Sequence, residues 1–161
     1  MSWVIAVDDP RADDVRAVLE RHLTFAYDET PAEAVHALDI EALVAPDITF
    51  FSCRDEGEQV LGVGALKQLD TGHAEVKSMH TVAEARGQGV GRAMLEHLLA
   101  EARRRGCDRV SLETGTGSAF AAAHALYASA GFVSCEPFGD YRTTPHNTFM
   151  TMELTPARTP R

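Results

Sequence analysis

Apolar residues at Val15, Val18, Leu19, Leu23 and Ala26, joined by His22, recur at the spacing of one helical face. Ahead of them, Trp3 to Val7 reads as a short strand. Asp8-Asp9-Pro10 breaks it, and its acids suit the positive end of the next helix. Thr30-Pro31-Ala32-Glu33 combines an N-cap, a first-turn proline and a capping-box acid, which predicts a second helix over about 31–43. The pattern then changes. Residues 48–53, 59–69 and 73–82 predict three successive strands, and Asp55-Glu56-Gly57 and Asp70-Thr71-Gly72 supply the turns of an antiparallel meander.

After a glycine-rich turn, Val90, Ala93, Met94, Leu98 and Ala102 mark a further helical face, with Gly106 as its stop. A strand over 109–114, a helix over 119–130 ended by Gly131, and strands over 132–135 and 147–154 complete the pattern. The order β-α-α-β-β-β-α-β-α-β-β describes a single mixed α/β (α+β) domain over 1–154, with a tail at 155–161.

Composition narrows the class. A chain of 161 residues, 45% apolar and 24% charged, suits one soluble domain with a proper core. Its apolar runs fall far short of the ~20 residues of a membrane helix. Asp8, Asp9, Arg11 and Asp13 interrupt the opening stretch before a signal peptide forms. The net charge of −9 argues against nucleic acid as a partner, yet leaves room for an anion held locally by backbone N–H groups. Cys53, Cys107 and Cys135 are odd in number and widely spaced. They offer neither a disulfide framework nor a C-x-x-C motif, and they suit a reducing cytoplasm. His73, His97 and His124 lack ligand spacing, so no metal site is expected.

The stretch ARGQGVGRAML, Ala85 to Leu95, carries the clearest chemistry. A dinucleotide fingerprint fails because Arg92 occupies the third glycine position and the preceding strand closes an antiparallel meander. A Walker A loop fails for want of its lysine. There remains a backbone bare of Cβ atoms at Gly87, Gly89 and Gly91, leading into a helix N-terminus, which together can cradle a pyrophosphate.

Arg86-Gly87-Gln88-Gly89-Val90-Gly91 resembles the R/Q-x-x-G-x-G/A motif of the GNAT superfamily of N-acetyltransferases. ALYASAGF, Ala125 to Phe132, is similar to that family's signature on the helix after the fifth strand. The resemblance covers nearly the whole chain, element order included. It implies a mixed, mostly antiparallel sheet of six or seven strands flanked by about four helices, with strands four and five splayed. It also implies acetyl-CoA as cofactor. The backbone of Met79, His80, Thr81 and Val82 would pair with the pantetheine amides, and the turn from Arg86 through Gly87, Gln88, Gly89, Val90 and Gly91 to Arg92 would hold the pyrophosphate. The chain departs from the pattern at Phe120, where many members have an asparagine that contacts CoA.

Acetyl transfer to an amine needs a neutral nucleophile, stabilisation of an oxyanion and a proton for the leaving thiolate. Glu75 stands where histone-type members carry a catalytic glutamate, and alternation would align it with Lys77, Met79 and Thr81 on one face. It reads equally as a solvated strand residue paired with Lys77. Glu113, in LETG at the end of the fifth strand, is a second candidate base, or a polar residue ordering the turn at Thr114-Gly115. Tyr127 matches the family tyrosine whose hydroxyl lies near the CoA sulfur, and a phenol of pKa ~10 can protonate a thiolate as it leaves.

For the acceptor, VHALD sets His36 and Asp39 on one face of the second helix. FGDYRTTPHN places Tyr141 and Arg142 on a long loop, where Arg142 can clamp a carboxylate. The sequence thus reads as an acetyl-CoA-dependent N-acetyltransferase acting by direct attack on a small-molecule amine, with an amino acid or another carboxylate-bearing amine among the options. A protein or peptide acetyltransferase and a non-catalytic CoA-binding module are the alternatives. Strand edges near the C-terminus allow a homodimer.

Overall fold

Three strands joined by tight turns, β2 (Ile48–Asp55), β3 (Val60–Gln68) and β4 (His73–Thr81), form the antiparallel meander that the turn residues predict. The computed structural model describes residues 2–31 and 40–154. β1 (Trp3–Val7) joins the outer edge of β2 antiparallel, and α1 (Asp13–Glu29) comes after it in the chain. A crossover through α2 (Val90–Arg104) brings β5 (Arg109–Gly115) parallel to β4. After α3 (Ala121–Ala130), the short β6 (Val133–Ser134) forms an edge and β7 (Asn147–Glu153) inserts between it and β5. The result is one seven-stranded mixed sheet in the order β1-β2-β3-β4-β5-β7-β6.

The two faces of the sheet are covered by different helices. Val90, Met94, Leu98 and Ala102 of α2 are buried at helical spacing against β3. The approach is close because Gly64 has no side chain: a Cβ there would lie 2.8 Å from Met94 Cγ and 3.2 Å from Leu98 Cδ1. On the opposite face α1 buries Val15, Val18 and Leu19, and its His22 ring meets that of His80 on β4.

Three expectations meet the structure at their edges. Of the helix expected over 31–43, residues 32–39 lie outside the described residues, His36 and Asp39 with them, and the next described element is a single 3-10 turn, Ala42–Val44. The tail at 155–161 also lies outside them. The strand expected over 132–135 shortens to Val133–Ser134, because Phe132 turns inward, 3% exposed, and packs edge-on against Tyr127.

Strict alternation along β4 does not hold. Lys77 pairs with Ala65 and His80 with Val63, so two residues of β4, Ser78 and Met79, stand opposite Gly64 alone. This β-bulge has Ser78 at a φ of 56° and exchanges the faces beyond it. His80, not Met79, therefore shares the α1 face with Glu75 and Lys77, and Thr81 turns toward α2, where its hydroxyl approaches Gly91.

A valine at Gly64 would force Met94 and Leu98 outward from a filled interface. Gly64→Val is expected to lower unfolding stability by about 1–3 kcal/mol in urea titrations. Unchanged stability would show that α2 is not held by this close approach.

Candidate active site

The bulge has a consequence for the neighbouring strand. β4 and β5 pair only at His73↔Arg109, Ala74↔Val110 and Glu75↔Ser111. A bulge bends its strand and raises local twist, and beyond Glu75 the two strands part. The gap exposes backbone donors and acceptors of β4 that a continuous sheet would have used. Ser78 Oγ is buried at this gap without a hydrogen-bond partner among the described residues.

The gap opens on the α1 face into a cavity of about 180 Å³. Its walls come from β4, the end of β5, α1, the start of α3 and the loop before β7. All three residues proposed for catalysis, Glu75, Glu113 and Tyr127, line it. Met79 and His80 do so as well. Val82 is buried beside β3, where its N–H bonds the Leu61 carbonyl at 3.0 Å. Tyr141 reaches the cavity from the loop, whereas Arg142 is exposed and absent from the lining.

Glu75 is 2% exposed, and its Oε2 accepts hydrogen bonds from Tyr141 Oη at 2.6 Å and Lys77 Nζ at 3.2 Å. Lys77 Nζ also donates to Tyr141 Oη at 2.7 Å. Burial first, then the Glu75 charge and hydrogen bond, push the Tyr141 phenol well above its ordinary range, so it keeps its proton and serves as donor. Strand alternation foresees the Glu75–Lys77 pair but places it in solvent. The structure buries it, because the loop bearing Tyr141 folds over that face and packs through Phe138 and Phe149.

Several lining residues carried no functional signal in the sequence. His22 and Ala26 of α1 read as part of a core face and Phe25 lay outside that reading; all three line the cavity instead. His146, from the loop already singled out for the acceptor, and Phe120, at the position where the family pattern departs, line the cavity too. The amphipathic spacing of α1 located the face, but not that part of it borders a void.

The chain matches the model of the acetyltransferase (GNAT) family over residues 13–132. It belongs to that family. Two curated relatives bear this out: the uncharacterised N-acetyltransferase YsnE of Bacillus subtilis (strain 168), 45% identical over 93% of this chain and 99% of its own, and the uncharacterised N-acetyltransferase YedL of Escherichia coli (strain K12), 43% identical over 94% and 95%. A crystal structure assigned as an acyl-CoA N-acyltransferase from Klebsiella pneumoniae superposes with a TM-score of 0.78 at 25% identity, covering 95% of this chain and 98% of that one. This GNAT protein is an N-acetyltransferase, and the family implies an acyl-CoA donor.

The residues present fit such a donor. Gly87 and Gly89 have φ values of 79° and 92°, a conformation that costs a side-chain-bearing residue about 1–2 kcal/mol. A Cβ on Gly87 would meet nothing within 4 Å, so its surface is open to a ligand. Ala93 N–H makes a backbone bond into Gly89 O, and the N–H groups ahead of it belong to the helix end, where no intrahelical carbonyl reaches them. Val90 is buried and pins the turn to the core, while Arg86 Nε bonds Thr81 O at 3.4 Å. Gln88 Nε2 bonds the Glu84 carbonyl, and Arg92 bonds Ser129 Oγ at 3.0 Å.

Trp3, the single tryptophan, has its ring edge 3.9 Å from where a Gly89 Cβ would stand. Titration with CoA is expected to change Trp3 fluorescence saturably, and Gly89→Ala to weaken that binding by about tenfold through its backbone strain. Equal affinity in the variant would remove the turn from the donor site.

The His22 and His80 rings meet at 5.3 Å. Burial, and for His80 the charges of Arg86 and Arg21, lower both from 6.5 to about 4. Below pH ~6.5 the unfolded chain takes up protons that the folded protein refuses, so this contribution is complete above that pH and is lost as pH falls toward about 4. Thermal melts are expected to show Tm declining across this window, more shallowly in His22→Gln. Parallel profiles for the two proteins would contradict the assignment.

Proposed function

We propose that this enzyme moves an acetyl group from acetyl-CoA to the amine of a small molecule by direct attack in a ternary complex. The observation that carries the reading is the cavity of about 180 Å³ that meets the β4–β5 gap under α1 and the loop containing Tyr141. Its size lies below the roughly 300–1,000 Å³ of pockets for drug-sized ligands, which suits a metabolite better than an extended peptide.

Acetyl-CoA supplies an electrophilic thioester carbonyl and a thiol leaving group. In the proposed arrangement the backbone of Met79 to Val82 and the turn from Arg86 to Arg92 hold the donor. Tyr127, buried in the cavity wall, is pushed up to about 12 by that burial, so its Oη holds a proton at neutral pH. Tyr127 lines the cavity that meets the β4–β5 gap, and it is our choice of proton donor to the leaving sulfur. Cys53, Cys107 and Cys135 do not line the cavity, so the reading has no acyl-cysteine step.

For proton removal from the acceptor, Glu75 and Glu113 occupy the cavity together. Glu75 Oε2 is taken up by Tyr141 and Lys77. Glu75 and Glu113, the latter at the end of β5, are the two candidate bases.

The direct check is thiol release from acetyl-CoA across amines, amino acids and peptides. Turnover with small amines supports the proposal, and turnover with peptides alone refutes the small-molecule acceptor. Tyr127→Phe is expected to lower kcat by about 10²-fold while CoA affinity stays within twofold or so. An unchanged kcat would remove Tyr127 as the donor.

A further inference from the structure

Ser78 carries two local costs at once. Its φ of 56° is a left-handed conformation that disfavours a residue with a side chain. Its Oγ is buried, and among the described residues no group accepts its proton or donates to it. Ser52 and Ser111, buried serines of β2 and β5, are treated differently. Ser52 Oγ bonds the Asp8 carboxylate, and Ser111 Oγ meets His73 Nε2 at 2.7 Å and Thr151 Oγ1 at 2.9 Å. Ser78 also differs from them in place. It stands on β4 beyond the last pairing with β5, Glu75↔Ser111, and lines the same cavity as Tyr127.

Taking acetyl-CoA as the donor in that gap, as proposed above, we infer that the Ser78 hydroxyl is a further catalytic group. It donates a hydrogen bond to the carbonyl oxygen of the bound thioester. A buried hydroxyl left unpaired is costly, and native proteins keep few of them. A hydroxyl whose acceptor arrives with the substrate removes that cost in the bound protein. Its proton turns freely about the Cβ–Oγ bond and serves the oxygen best when charge has built on it. As the acceptor nitrogen forms its bond to the carbonyl carbon, the π pair moves onto the oxygen. The pair returns as the C–S bond breaks, and Ser78 keeps its own proton throughout. The nitrogen loses its protons to a cavity base and to solvent, and the sulfur takes the Tyr127 proton, which solvent replaces.

The experiment titrates CoA and acetyl-CoA, which differ by the acetyl group alone, into the wild-type protein and Ser78→Ala by calorimetry. The variant is expected to bind acetyl-CoA about tenfold more weakly, and CoA within about twofold of wild type. The infrared stretch of the isotope-labelled carbonyl in bound acetyl-CoA should rise in frequency, because the oxygen has lost a donor. With an amine that the wild-type protein acetylates, kcat should fall by about 10²-fold. Ser78→Gly suits the left-handed backbone and also lacks the hydroxyl, so it should match Ser78→Ala in affinity and in the carbonyl band. Melts of unliganded Ser78→Ala should give a Tm no lower than that of wild type, since the hydroxyl removed leaves no partner behind. Equal losses for CoA and acetyl-CoA, an unmoved carbonyl band or an unchanged kcat each overturn the role of the hydroxyl. A lowered Tm in the unliganded variant does the same, as does a Ser78→Gly protein with wild-type affinity for acetyl-CoA. A wild-type protein that binds neither CoA nor acetyl-CoA removes the donor reading and this role together.

Discussion

One extra residue in β4 organises this protein. With Ser78 and Met79 both opposite Gly64, the strand bends away from β5 after three paired positions, and the sheet opens from within. Backbone groups otherwise committed to a ladder become available along the gap. The same bulge carries His80 to the face of Glu75 and Lys77. The backbone left open along the gap and the cavity under α1 are thus two sides of a single defect in pairing. The defect is tolerated because the flanking pairs remain long: β2 with β3 on one side, and β5 with β7 without interruption on the other.

The loop side of the cavity depends on a buried ion pair that a phenol bridges. Glu75 and Lys77 lie two residues apart on one strand face, and Tyr141 enters from a loop more than sixty residues on. A buried pair of this kind is weak evidence of net stability, since desolvation offsets much of the attraction, but removing one member leaves a charge without compensation. That asymmetry ties the loop's position to the strand. Phe138 and Phe149 pack on Tyr141 and hold the ring where its hydroxyl can serve both charges.

The meander, the helical faces of α1 and α2 and the turn from Arg86 to Gly91 were legible because each depends on residues close in sequence. Turn residues, periodicity and glycine spacing act within a few positions. The bulge left no such trace: nothing in KSMHT announces an extra residue, since the cause lies partly in the neighbouring strand. Strict alternation consequently put Thr81 and Met79 where His80 stands. Lys77 was visible only as a neighbour of Glu75, and His22 only as part of an apolar face.

Among the described residues, sequence alone determined the elements, their order and the glycine turn after β4, and it pointed to the family, because local backbone preference and short motifs encode all of these. Tertiary structure decided which side chains meet. Glu75 is buried under Tyr141, Arg142 is left outside the cavity, and the rings of α1, β4 and α3's approach face one void. Such meetings depend on how far β4 and β5 part and on how a loop folds back over them. Those are outcomes of packing between segments distant in the chain, and no short stretch of sequence contains them.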